Sequence, residues 1–340
     1  MEYIILIISL IVILLASELF VNAIEWLGKI LNLSEGAVGS VLAAIGTALP
    51  ETLIPIIALL SGSNQNAEEI GIGAILGAPL MLSTLTMFVT GCAIILCKKK
   101  RSQHKKALVN VDNISHDLKF FIISFSLALF CGIIPETLKS LKIFFALILF
   151  LNYLLYIIKI VKENRNEDDD EIPELYFALK NKKIIKNKYL IILVLLQAII
   201  AIALIIIGAE KFISSLNIIS TSLHIPAFIL AIILTPIATE LPEKFNSVIW
   251  ISREKDTLAL GNITGAMVFQ ASILPAIGIL LTNWSLTSLG TFLSAIIAIL
   301  SASLLLIELH TKKHLTVKML LTCGLFYLLF LILVILGIIR

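Results

Sequence analysis

Charge is scarce in this chain. Only 14% of its 340 residues are Asp, Glu, Lys or Arg, against 59% hydrophobic, and the mean hydropathy is +1.04. A soluble domain carries roughly a quarter charged residues, so this balance excludes one and points to a chain that crosses a bilayer repeatedly. Cysteine is scarce too. Cys92, Cys97, Cys131 and Cys323 lie in or beside apolar runs without metal-ligand spacing, and read as buried thiols. There is no HExxH zinc motif and no GxSxG nucleophile turn, and the few histidines do not cluster, so the chain is not read as an enzyme. Its basic residues sit in short runs that membrane topology explains, which leaves nucleic-acid binding without support.

What the chain has is apolar length. Runs of about 20 residues or more fall near Tyr3–Leu31, Glu35–Leu60, Ile70–Cys97, Leu118–Ile134, Leu141–Val161, Tyr189–Leu216, Pro226–Ile251, Leu258–Leu281, Ser285–Leu309 and Leu315–Ile339. They predict an all-α membrane protein of ten transmembrane helices. The first run lacks a basic start and a small-residue cleavage pattern, so it is expected to remain a span. Basic residues follow the third run (Lys98 to Lys106), the fifth (Lys162 to Lys188), the seventh (Arg253, Lys255) and the ninth (Lys312, Lys313). With ten spans these connections share one side. The positive-inside rule then predicts cytoplasmic basic loops and both termini outside, in the cell membrane.

The halves repeat. Pro50-Glu51 matches Pro242-Glu243 at an offset of 192 residues, and Glu18, Phe20, Thr47 and Leu49 match Glu210, Phe212, Thr239 and Leu241. Gly73, Gly77 and Ala78 match Gly261, Gly265 and Ala266 at an offset of 188. The expected organisation is a five-helix repeat over 1–162, a cytoplasmic linker over 163–188, and a second repeat over 189–340. An odd number of spans per half inverts the second repeat. The acidic block Glu167 to Glu171 lacks EF-hand spacing and reads as solvated linker. Gly71, Gly73 and Gly77, like Gly261 and Gly265, are spaced for close helix packing.

Each Pro-Glu lies deep in an apolar run, where a carboxylate is expensive. Proline removes a ladder hydrogen bond and frees a carbonyl one turn upstream. The second and seventh helices are therefore expected to be broken, each offering a carboxylate beside backbone oxygens, the ligands of a hard cation.

These motifs resemble the two alpha-repeats of the cation/calcium exchanger superfamily, the sodium/calcium exchanger-like membrane proteins. The family pattern, GTSLPE followed by GNxxGSNxxN or GNxxGSNxxD, reads here as GTALPE (Gly46–Glu51) with GAILGAPLML (Gly73–Leu82), and as ATELPE (Ala238–Glu243) with GNITGAMVFQ (Gly261–Gln270). The resemblance implies a cation antiporter working by alternating access, calcium exchanged for sodium or protons, with no cofactor and with inorganic cations and the lipid bilayer as partners. It implies that Glu51 and Glu243 ligate calcium and that Thr47 and Thr239 lend carbonyls. The family's serines are replaced by Ala48, Glu240, Ala78 and Ala266, and its third-helix asparagine by Leu82. The remaining oxygen ligands are Glu51, Glu243, Glu240, Gln270, Asn262 and the carbonyls of Thr47 and Thr239. Lys244, four residues after Glu240, reads either as its intrahelical partner or as a tethered cation. His116 and Asp117 read as interfacial, without a transport role. Competing readings are a non-transporting ion sensor or scaffold of the same fold, and a cation/proton exchanger for another metal.

Overall fold

The computed structural model describes the chain except for residues 31–43, 62–64, 104, 163–174, 178–186, 287 and 340. The side chains at 28–29, 44–50, 61, 65, 100, 161–162, 187–189, 238 and 241–246 also lie outside that description. The protein is predominantly helical. In order come α1 (Glu2–Ile30), α2 (Ala44–Ser61) and α3 (Gln65–Met81), which continues through a π-helical turn (Leu82–Thr86) into α4 (Met87–Leu96). Then follow α5 (Val111–Ile133), α6 (Lys139–Lys162), α7 (Asn187–Leu223), α8 (Ala227–Ser252), α9 (Asp256–Leu281), α10 (Leu289–Lys312) and α11 (Val317–Ile335). Among the described residues, eight helices are long and apolar enough to cross a membrane, and two shorter apolar stretches, Glu51–Leu60 and Ala227–Ile237, belong to α2 and α8.

Local chemistry sets the helix ends. The side chains of Asn110, Ser288 and Thr316 accept from the backbone N–H three residues on, capping α5, α10 and α11. Lys313, at φ 60°, closes α10 in the left-handed conformation. Buried hydroxyls mostly fold back on their own helix: Ser83 donates to Pro79 O (2.7 Å), Thr90 to Thr86 O (2.9 Å) and Ser272 to Val268 O (2.6 Å).

Three of the basic connections meet at one end of the bundle. The Arg101 guanidinium pairs with both Asp256 carboxylate oxygens (2.7 and 2.8 Å) and donates to Ile251 O. Asp256 also accepts from Leu108 N (2.9 Å). The Glu254 carboxylate accepts from Ser102 N and, at 3.2 Å, from Ser102 Oγ. Strands β1 (Lys106–Ala107) and β2 (Leu315–Thr316) pair antiparallel, joining the connection after α4 to the one after α10. At the other end Ser215 Oγ donates to Glu2 (3.3 Å) and Asn66 to Asn217 (2.8 Å), while Lys142 Nζ donates to Asn283 O (2.6 Å) and Trp284 O (3.1 Å). Helices α1 and α7, α3–α4 and α9, and α5 and α10 therefore run in opposite senses.

The close packing is built from small residues. A methyl added at Gly73 would stand 2.8 Å from Phe228 O. One at Gly77 would stand 2.9 Å from Ile232 Cα and Pro236 Cγ, and nearer still to Ile232 O. Pro236 has no N–H for Ile232 O, so the carbonyl it leaves over is the one that faces Gly77. Gly261 and Gly265 do not repeat this. Among the described residues their added methyls would meet Ile114 Cδ1 at 3.9 Å and Tyr156 Oη at 3.4 Å. The repeat equivalents of Phe228 and Ile232, residues 36 and 40, lie outside the described residues.

One expectation needs correction. The seventh helix is not broken: α8 is helical from Ala227 to Ser252, through Pro236 and Pro242. Within its described length α2 likewise runs through Pro50 and Pro55. A proline deletes one ladder bond, and packing on both sides of these helices holds the remainder of the turn.

Candidate cation site

Three helices bring three polar side chains together in the apolar interior. Glu51 comes from α2 directly after Pro50, Glu240 from α8 and Gln270 from α9; Glu51 is 3% exposed and the other two are fully enclosed. The Gln270 amide nitrogen donates to Glu51 Oε2 and, at 3.3 Å, to Glu240 Oε1. An amide NH2 has two protons, so each carboxylate receives one. The Gln270 Oε1 atom is buried and has no hydrogen-bond partner among the described residues. Ala78 and Leu82, at the positions where the family pattern has serine and asparagine, are buried.

Chemically, this is a cluster of carboxylate and amide oxygens held away from water. Two carboxylates at this depth repel one another and lose hydration. Either a cation or protons can balance them, and the same oxygens serve both. Hard cations take such oxygen ligands.

Of the residues singled out from sequence, Glu51, Glu240 and Gln270 come together. Thr239 is buried on α8, and its hydroxyl turns back to Thr235 O (3.3 Å). The side chains of Thr47, Glu243 and Lys244 lie outside the described residues. Asn262 is not part of the cluster: it lies eight residues before Gln270 on α9, about 12 Å along the axis. Glu18 is exposed and accepts from Tyr176 Oη (2.7 Å), the hydrogen bond that chiefly pushes this phenol up to about 12.

Sequence reasoning missed Asp117. It is fully buried, accepting from Tyr156 Oη (3.1 Å) and Thr264 Oγ1 (2.6 Å). Its position one residue before an apolar run was the available signal, and that position is shared by ordinary interfacial acids.

Comparison with known proteins gives a consistent result. The profile of the family described as sodium/calcium exchanger protein matches residues 1–162 and 193–336. An uncharacterized membrane protein of Methanocaldococcus jannaschii, MJ0091, is 24% identical over 304 residues, covering 89% of each chain. Among solved structures, the H+/Ca2+ exchanger CAX is similar at a TM-score of 0.74 and 17% identity, over 98% of this chain and 82% of that one. Native YfkE gives a TM-score of 0.68 at 16% identity, over 98% and 92%. The sodium-calcium exchanger NCX_Mj, soaked with Na+ and Ca2+, gives 0.58 at 20% identity, over 96% of each chain. At these identities the structural likeness is one of fold.

Proposed function

The chain belongs to the sodium/calcium exchanger protein family, and on that premise we propose that it is a secondary antiporter exchanging calcium for protons by alternating access. The observation that carries this reading is the pair of buried carboxylates, Glu51 and Glu240, bridged by Gln270, whose amide oxygen has no donor among the described residues. Deprotonated, the two carboxylates and the amide oxygen of Gln270 bind the divalent ion, with Glu243 and the carbonyls of Thr47 and Thr239 completing the shell. Protonated, the same carboxylates release it. Protons rather than sodium fit the substitutions Ala48, Ala78, Leu82 and Ala266, which leave few oxygens for separate sodium sites. The likeness to an H+/Ca2+ exchanger agrees with this choice.

The moving part in this reading is the α1–α7 pair, whose helices pack chiefly on each other. The basic connections face the cytoplasm by the positive-inside rule.

The test is calcium-45 uptake into proteoliposomes under an imposed pH gradient, with a sodium gradient as the comparison. Flux driven by the pH gradient and abolished in Glu51→Gln, with the variant still folded, is the expected result. Tight calcium binding without flux under either gradient would make the protein a sensor of the same fold, and flux driven only by sodium would reverse the counter-ion.

A further inference from the structure

We propose that Asp117 is a positioning residue for the cation site: through Thr264 it holds α9 in the register at which Gln270 spans Glu51 and Glu240. What the site binds rests on the antiporter reading. The positioning does not.

Asp117 ties three helices at one carboxylate. It is fully enclosed on α5, and each of its oxygens has a donor from a different helix. Tyr156 Oη of α6 reaches Oδ1 at 3.1 Å, and Thr264 Oγ1 of α9 reaches Oδ2 at 2.6 Å. The Thr264 hydroxyl also lies 3.4 Å from Gly261 O on its own helix, so the nearer acceptor, on another helix, takes the proton. Ser83, Thr90 and Ser272 do the reverse, bonding within their own helices. A carboxylate at this depth is expensive, and an apolar contact could join the same helices without that cost. What the acid adds is a fixed point.

The packing around Thr264 needs such a point. Gly261, Thr264, Gly265 and Phe269 follow one another at helical spacing on the side of α9 that meets α5 and α6. A methyl added at Gly261 would stand 3.9 Å from Ile114 Cδ1, and one at Gly265 would stand 3.4 Å from Tyr156 Oη, both ordinary contacts. At Gly73 and Gly77 the same methyl would overlap the backbone of α8. Shape therefore locks α3 on α8, whereas a smooth glycine stripe leaves α9 free to slide on α5 and α6. The hydrogen bond to Asp117 selects one setting. Tyr153, on the same side of α6 as Tyr156, supports it: its ring meets Phe269 edge-on, with centroids 5.5 Å apart at 74°.

Gln270 directly follows Phe269. It lies six residues beyond Thr264, about 9 Å along the axis and roughly 120° around it, on another face of the helix. α9 is helical throughout this stretch, so a shift at Thr264 is carried to Gln270. One amide there serves carboxylates from two other helices at once, and it tolerates little displacement. Asp117 thus acts on the site through Thr264 and the helix, without contact with the ion.

The experiment is a double-variant cycle read by the calcium dependence of calcium-45 exchange in proteoliposomes. Thr264→Val keeps the side-chain shape and removes the hydroxyl. It is expected to raise the apparent KM for calcium about tenfold, with the maximal rate within about twofold, and Thr264→Ser should restore the wild-type KM. In a Gln270→Ala background Thr264→Val should raise KM by less than about twofold, because the ligand it positions is gone. Adding Asp117→Asn to Thr264→Val should likewise change KM by less than about twofold. An unchanged KM in Thr264→Val, a tenfold rise that persists in Gln270→Ala, a serine that does not rescue, or a further large rise with Asp117→Asn overturns the positioning role. Melting in detergent micelles without calcium runs the cycle without transport. Gln270→Ala should shift the melting temperature of the Thr264→Val protein by less than about half its shift in the wild type; equal shifts overturn the proposal. Should the wild type move no calcium under either gradient, the antiporter reading falls, and the melting cycle still decides the positioning.

Discussion

Gly77→Ala tests how the site is held. A methyl there would lie 2.9 Å from Ile232 Cα and Pro236 Cγ, where ordinary contact begins at 3.4 Å, so α3 and α8 must part by at least about 0.5 Å. The obstacle is backbone and a proline ring, neither of which can rotate aside. Overpacking of this kind costs about 1–3 kcal/mol, and the unyielding neighbour puts Gly77 at the upper end. Alanine gains up to about 1 kcal/mol over glycine as a helix former. The net expectation is a loss of about 2 kcal/mol in unfolding measured in detergent micelles. Because Glu240 lies one turn beyond Pro236, calcium exchange should fall roughly tenfold as the ligand cluster loosens. Gly71→Ala is the control on the same helix. Its methyl would meet the far end of the Leu59 side chain, which can swing away, so stability should change by less than about 1 kcal/mol. Equal effects at the two glycines, or a stabilised Gly77→Ala, would refute the argument from backbone approach.

Other consequences follow from the basic-loop end. Asp256→Ala strands the Arg101 guanidinium, whose side chain is 1% exposed, and should destabilise the fold by about 3–5 kcal/mol; a loss under about 1 kcal/mol in micelle unfolding would mean that water reaches the pair. The Glu254 carboxyl is held below its ordinary 4.5, first by the Ser102 N–H and then by the Ser102 hydroxyl. Its folded-state value lies under its unfolded one, so its support for the docked connection is complete above pH 4.5 and fades as pH falls through the lower value. Limited proteolysis near Arg101 should therefore speed up only in acid, and Glu254→Gln should remove that dependence; an unchanged profile in the variant would assign the acid transition elsewhere.

Much of this architecture was legible because hydropathy and the Lys/Arg bias are local signals. Over the described residues the apolar runs reappear as helices, and the connections carrying Lys98 to Lys106, Arg253 and Lys312 do meet at one end. Glu51 and Gln270 could be found because each sits in a repeated motif. The pairing that joins them was not legible. It depends on a hydrogen bond between residues 219 positions apart. Asp117 and the Arg101–Asp256 pair were missed for the same reason, since burial of an acid near a helix start is decided by what packs over it. The continuous α8 shows a further limit. Proline chemistry identifies the lost hydrogen bond, but neighbouring helices decide whether the turn opens.

The pairing of helices across the molecule bears on how the two halves of the chain depend on one another. α1 lies on α7, α3 on α8, and α5 and α6 on α9, so the most extensive interfaces join one half of the chain to the other. Neither half alone could cover the groove at Gly73 and Gly77 or assemble Glu51 with Gln270. The two halves are thus interlocked fingers rather than beads on a string. The covalent tether between Lys162 and Asn187 is the least of what keeps them together.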